Sequence, residues 1–198
     1  MPDAFNPSVI MRSRRTDFRT RSEGEDLIVE GYFVVFDQPY YLDAYSEEII
    51  ERSAFEGCDM TDVRALVDHL SHLVLGRNTV NTLTLSLDDT GLYAVIRINR
   101  RDTDALNLHA RVQRGDVDQA SFGFDEDETR TTYVTLPDGR VQVRIGGILK
   151  LWEVSVCTFP AYEQTSVSAR SRAADEQRQK QINAARKEKL KRRFRHHD

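Results

Sequence analysis

NTLTLSLDDTGLYAVIRI, residues 81–98, decides the fold class. Leu83, Leu85 and Leu87 alternate with Thr82, Thr84 and Ser86, the period of a strand with one apolar face. Asp88-Asp89-Thr90-Gly91 is a turn, and Leu92–Ile98 returns as the second arm of a hairpin. Outward from this hairpin the same grammar recurs. Pro137-Asp138-Gly139 is a second turn between two strand arms, and LKLWEVSVCTF (149–159) is a last long strand ending at Pro160. Upstream, LIVEGYFVVF (27–36) is β-branched and aromatic, and Gly31 inside it predicts a bulge. VRALV (63–67) is a short strand. Two helices are expected. One spans about 102–114, with Asp102 as N-cap, apolar Leu106, Ala110 and Val112, and Gly115 closing it. The other is a short helix in SEEIIERSAF (46–55), with Ser46 as N-cap and Glu47 and Glu48 in the first turn. The expectation is a mainly β fold with short helices, its hairpins curled into a β-barrel.

The chain has 198 residues, enough for one ordinary domain plus an appendage. Hydrophobic residues at 39% and charged residues at 30% support a modest core under a solvated surface. No apolar run approaches the ~20 residues of a membrane span, and the N-terminus lacks a signal-like stretch. Cys58 and Cys157 make no disulfide framework, which fits a reducing compartment. The net charge of −4 divides unevenly: residues 170–198 carry 11 Lys/Arg against 4 Asp/Glu, or +7, leaving −11 on residues 1–169. An acidic body with a basic tail argues against a general nucleic-acid-binding surface. The expected organisation is a polar, Arg-rich arm at 1–26 (irregular or an edge strand), a folded domain at 27–169, and a helical or disordered basic tail at 170–198.

Three polar residues stand out. In VDQASFGF (117–124), Ala120, Phe122 and Phe124 share one face, so Ser121 points away from the phenylalanines. In LWEVSVCTF (151–159), Trp152, Val154 and Val156 share one face, and Leu151, Glu153, Ser155 and Cys157 share the other. His69 follows the strand VRALV, where Asp68-His69-Leu70-Ser71-His72 leaves regular structure. Ser, His and Glu are the residue types of a nucleophile, a general base and its orienting carboxylate. Spacing alone does not join them. Asp68, His69 and His72 also form a His-x-x-His pair, but no third ligand stands in a defined place. Cys58, eleven residues before His69, has no cysteine at Cys-x-x-Cys spacing. Gly146-Gly147 lacks the lysine and helix of a phosphate-binding loop. Neither a metal nor an organic cofactor is expected.

Four phrases, taken in order, give a resemblance. GYFVVFD (31–37), ALVDHLSHLVLGR (65–77), QASFGF (119–124) and LWEVSVCTFPAYEQTSVSARS (151–171) resemble the tailed-bacteriophage prohead serine proteases, capsid maturation enzymes whose fold is similar to that of the herpesvirus assemblins. The resemblance covers about residues 27–171. It implies an assemblin-like barrel and acyl transfer by Ser121 as nucleophile and His69 as general base. Glu153 then stands where the herpesvirus relatives use a second histidine. This sequence departs from the family's usual Asn-His-Asp-like phrase, having Asp68-His69-Leu70 and then His72, so His72 stays open as the base; His69 is nearer the strand end. Oxyanion donors are expected among the backbone amides near Pro160 to Glu163.

The implied substrate is the major capsid protein precursor or scaffold, and the chain itself is a further candidate. The implied location is the host bacterial cytoplasm, inside the assembling procapsid. Self-association is expected as well, from relatives of the fold. The rival expectation is a catalytically inactive scaffold or assembly protein with a protease-like fold, motivated by the basic tail. That tail is expected to tether the protein inside the procapsid.

Overall fold

The computed structural model describes residues 10–23, 26–159, 179–180 and 183. The expected basic tail (170–198) falls almost wholly outside these residues, as do Pro160 to Glu163.

Thirteen strands and one complete α-helix occur among the described residues, and residues 179–180 and 183 are also helical. In chain order they are β1 (Ile10–Arg15), β2 (Arg19–Glu23), β3 (Asp26–Val35), β4 (Tyr40–Tyr41), β5 (Ser46–Ile50), β6 (Arg64–Val67), β7 (Leu70–Arg77), β8 (Leu83–Leu87) and β9 (Gly91–Ile98). Then follow α1 (Thr103–Arg114), β10 (Gln119–Glu126), β11 (Thr131–Thr135), β12 (Val141–Ile145) and β13 (Ile148–Cys157). They form three sheets, ordered β1-β10-β13-β6-β7, β11-β12-β5-β4 and β2-β3-β9-β8. Each sheet keeps two open edges, so the expected closed barrel is corrected to three open sheets around a shared core. Phe33, Leu92, Ile96, Phe122, Phe124 and Val154 are fully buried in that core.

The local signals held where a turn or cap specified them. β8 and β9 pair as the hairpin read from residues 81–98. β11 and β12 pair across Pro137-Asp138-Gly139, where Gly139 takes φ 86°, a conformation that favours glycine. Asp102 caps α1, its Oδ1 accepting from the amides of Asp104 (3.0 Å) and Ala105 (3.2 Å). The helix buries Ala105, Leu108, His109 and Val112, while Ala110 faces solvent.

Other expectations are corrected. Ser46–Ile50 is a buried strand parallel to β12, not a helix; only Arg52–Phe55 coils, as a 3-10 turn. The acids that read as a favourable first turn are instead ion-pair partners. Glu47 meets Arg140, and Glu48 meets Arg12. Gly31 is not the bulge of β3, whose register slips between Tyr32 and Val34. A Cβ at Gly31 would lie 2.9 Å from the Phe18 ring, so the glycine admits an aromatic lid. Residues 10–23 form two strands, and β1 is an edge of the first sheet, hydrogen-bonded to β10.

Candidate functional site

Ser121, Glu153 and His69 lie on or beside three successive strands of the first sheet, β10, β13 and β6. β10 and β13 run antiparallel with Ser121 opposite Ser155 and Gly123 opposite Glu153. Directly opposed residues project to the same side, and so do residues two apart on one strand. Ser121, Ser155 and Glu153 therefore share one face, away from the core face of Ala120, Phe122 and Phe124. Below Glu153 the alternation breaks. The register slips so that Phe124 pairs with Leu151, and Leu151 joins the core instead of the Glu153 face. The extra residue is Trp152, whose ring is covered by the Lys150 ammonium at 4.3 Å.

His69 is brought to this face by a two-residue turn. β6 and β7 pair up to Val67 opposite Leu70, leaving only Asp68 and His69 between them. Both take positive φ, 47° and 61°, as the tightest hairpin turns require. The expected departure from regular structure is thus a turn and a second strand, whose register skips Ser71–Leu73. The left-handed conformation costs non-glycine residues energy, and neighbours hold it in place. The Asp68 amide donates to the Val156 carbonyl (3.1 Å), and the Thr158 amide donates to Asp68 Oδ1 (2.8 Å). Both anchors lie at the end of β13, the strand that carries Glu153.

The ring then meets the carboxylate. His69 Nδ1 lies 2.7 Å from Glu153 Oε1. Exposure is 11% for the His69 side chain and 1% for Glu153, so solvent screens the pair little. The other carboxylate oxygen, Oε2, accepts from the Ser155 hydroxyl at 2.5 Å. Ser155 Oγ in turn accepts from the His69 backbone amide at 3.2 Å. A carboxylate only accepts, so Nδ1 is the donor of this contact and Nε2 is the ring nitrogen that Glu153 does not occupy. His69 Nε2 is buried and has no hydrogen-bond partner among the described residues.

Ser121 is fully buried, and its hydroxyl donates to the Arg12 carbonyl of β1 at 3.0 Å rather than to His69. The structure thus joins His69 to Glu153 directly and sets Ser121 one cross-strand neighbour away, beside Ser155. His72 is exposed on β7, and no bond joins it to Glu153. The His-x-x-His pair does not converge: His69 is committed to Glu153, and Asp68 to Thr158. Cys157 is buried, and burial together with the nearby Asp68 and Glu153 carboxylates pushes its thiol well above the ordinary range. Burial likewise pushes Cys58 up to about 11. Neither thiol is activated as a nucleophile.

Three participants escaped the sequence reading. Ser155 stood on the Glu153 face by alternation, so a signal existed. Arg12 and Glu48 had none, because one lay in the presumed arm and the other in the presumed helix. Their fully buried pair, with Arg12 Nη2 2.8 Å from Glu48 Oε2, ties β1 to the second sheet. It also fixes the backbone whose carbonyl receives Ser121.

The chain's likenesses agree with one another. A family model described as caudovirus prohead serine protease matches residues 14–180. The prohead protease of Enterobacteria phage HK97 is 30% identical over 154 residues, which are 78% of this chain and 64% of that protein. The chain therefore spans just under two thirds of that relative's length. The capsid assembly protease of bacteriophage T4 is similar in fold, with a TM-score of 0.50 over 78% of this chain and 99% of that one, at 10% identity.

Proposed function

The chain belongs to the caudovirus prohead serine protease family, and from that premise we propose that it is a serine endopeptidase which cleaves a capsid or scaffold precursor during phage head assembly. One observation carries the reading: a largely buried imidazole held at Nδ1 by Glu153, a carboxylate on the face that also bears Ser121, with Nε2 unpartnered among the described residues. His69 is the base in this reading. Among the described residues, no carboxylate bonds the His72 ring.

The reaction is acyl transfer. Ser121 Oγ turns from the Arg12 carbonyl and attacks the scissile carbonyl carbon while His69 Nε2 takes its proton. Glu153 stabilises the imidazolium without itself being protonated. The proton passes to the leaving amine as the peptide C–N bond breaks. A water then attacks the acyl-enzyme, giving its proton to Nε2, and Ser121 recovers a proton as the carboxylic product departs. Apo geometry at such sites is often loose and tightens with substrate, which accommodates the Ser121 hydroxyl on a backbone carbonyl. Backbone amides near Pro160 to Glu163 remain the proposed oxyanion donors. No step requires a metal or organic cofactor.

Processing would take place inside the assembling procapsid in the host cytoplasm, with residues 170–198 as tether. Deleting residues 172–198 should then lower procapsid incorporation, and normal incorporation would remove the tether from the account. Co-expression with the phage's own capsid precursor tests the activity. The wild-type chain should shorten the precursor and Ser121→Ala should not, whereas full processing by Ser121→Ala would sink the assignment. Mass spectrometry of the chain itself tests self-cleavage in the same samples.

A further inference from the structure

Ser155 is fully buried, and among the described residues its hydroxyl bonds Glu153 and the His69 amide. The hydroxyl gives its proton to Glu153 Oε2 and accepts the backbone N–H of His69, the residue whose ring holds the other carboxylate oxygen. The result is a closed loop: amide of His69 to Ser155, Ser155 to Glu153, Glu153 to the ring of His69. We propose that Ser155 is a positioning residue for the proposed protease, fixing both the Glu153 carboxylate and the strained turn that presents His69. This rests on the reading of Ser121, His69 and Glu153 as the catalytic set.

Two physical arguments support it. A buried carboxylate needs donors on both oxygens to stay charged, and the ring of His69 occupies only one of them. A residue at φ 61° is kept there by its surroundings, and the Ser155 hydroxyl, itself fully buried, holds the part-buried His69 amide at 3.2 Å. One hydroxyl answers both needs because Ser155 is two residues from Glu153 on the same strand face. Ser155 and Ser121 are thus assigned different work. Ser155's proton is committed to a carboxylate, while Ser121's rests on a neutral carbonyl from which it can be withdrawn.

The test is the rate at which a fluorophosphonate phosphonylates Ser121 in the full chain, a readout of serine activation that needs no natural substrate. Ser155→Ala should slow labelling by about tenfold or more, the effect of losing one hydrogen bond to a buried charge. The same substitution in a Glu153→Gln background should slow it less, because the carboxylate that Ser155 holds is gone and only its bond to the His69 amide is left to lose. Ser155→Thr, which keeps the hydroxyl, should label faster than the nearly isosteric Ser155→Val, and this pair decides the matter if the alanine variant does not fold. Equal rates for Ser155→Ala and wild type, equal rates for Thr and Val, or the same slowing in both backgrounds would overturn the positioning role. A wild-type chain left unlabelled at Ser121 would instead remove the protease reading itself, and the role of Ser155 with it.

Discussion

His69 and Glu153 are 84 positions apart in the chain, yet Nδ1 and Oε1 approach to 2.7 Å in a site almost closed to solvent. That contact fixes which imidazole nitrogen is free. His72, the alternative base of the sequence reading, makes no such contact among the described residues.

The first prediction follows from it. His69→Ala should reduce precursor processing by about 10²–10⁴-fold, the usual worth of a positioned general base. His72→Ala should process at close to the wild-type rate. Initial rates of precursor shortening, followed by gel, check both. A large loss at His72 with little at His69 would exchange their roles.

Arg12 and Glu48 form a pair with no solvent to soften its loss. Removing one partner strands a buried charge, so Arg12→Met should lower unfolding stability by about 3–5 kcal/mol. The double substitution Arg12→Met/Glu48→Leu should recover much of that loss, since an apolar pair buries neither charge without the other. Urea unfolding of the three proteins measures both steps. A double variant no more stable than Arg12→Met would show that the destabilisation is not electrostatic.

Thiol chemistry separates this site from a cysteine protease. With Cys157 buried and both thiols pushed above their ordinary range, iodoacetamide at pH 8 should modify the native chain far more slowly than free cysteine. Activity should survive the treatment. Rapid alkylation of Cys157 with loss of processing would contradict the assignment of the nucleophile.

Acid should weaken the fold through His109. Burial, and secondarily the charge of Arg100, lowers its pKa from the ordinary 6.5, so the folded protein holds it neutral while the unfolded chain protonates. The unfolded state then binds the extra proton, and stability falls as pH drops below about 6.5 until the lowered folded value is passed. His109→Gln should show a smaller fall in Tm between pH 7.5 and 5 than the wild type. Parallel curves would place the acid sensitivity elsewhere.

Much of this was legible where the determinants were local. The hairpin of residues 81–98 and the capped helix α1 needed only alternation, turn residues and an Asp at the N-cap. That Ser121 points away from Phe122 and Phe124, and Glu153 away from Trp152 and Val154, needed only period two. What stayed hidden depended on distant partners. Glu47 and Glu48 looked like the first turn of a helix because Arg140 and Arg12, which make them a buried strand's ion pairs, lie 93 and 36 residues away. Leu151 changed face because a bulge at Trp152 reset the alternation, and Gly31 was a glycine for the sake of the Phe18 ring. The joining of Ser121's strand to that of Glu153, and of Glu153's to the turn of His69, rests on a non-local strand order that periodicity does not encode.

The central claim is that Ser121 is a nucleophile activated by His69 and Glu153. Peptide mapping of the full chain after fluorophosphonate treatment tests it most directly. The account predicts a single phosphonyl adduct on Ser121, absent from Ser121→Ala and strongly reduced in His69→Ala. An adduct on another serine, or labelling of Ser121 that is indifferent to His69, would contradict it.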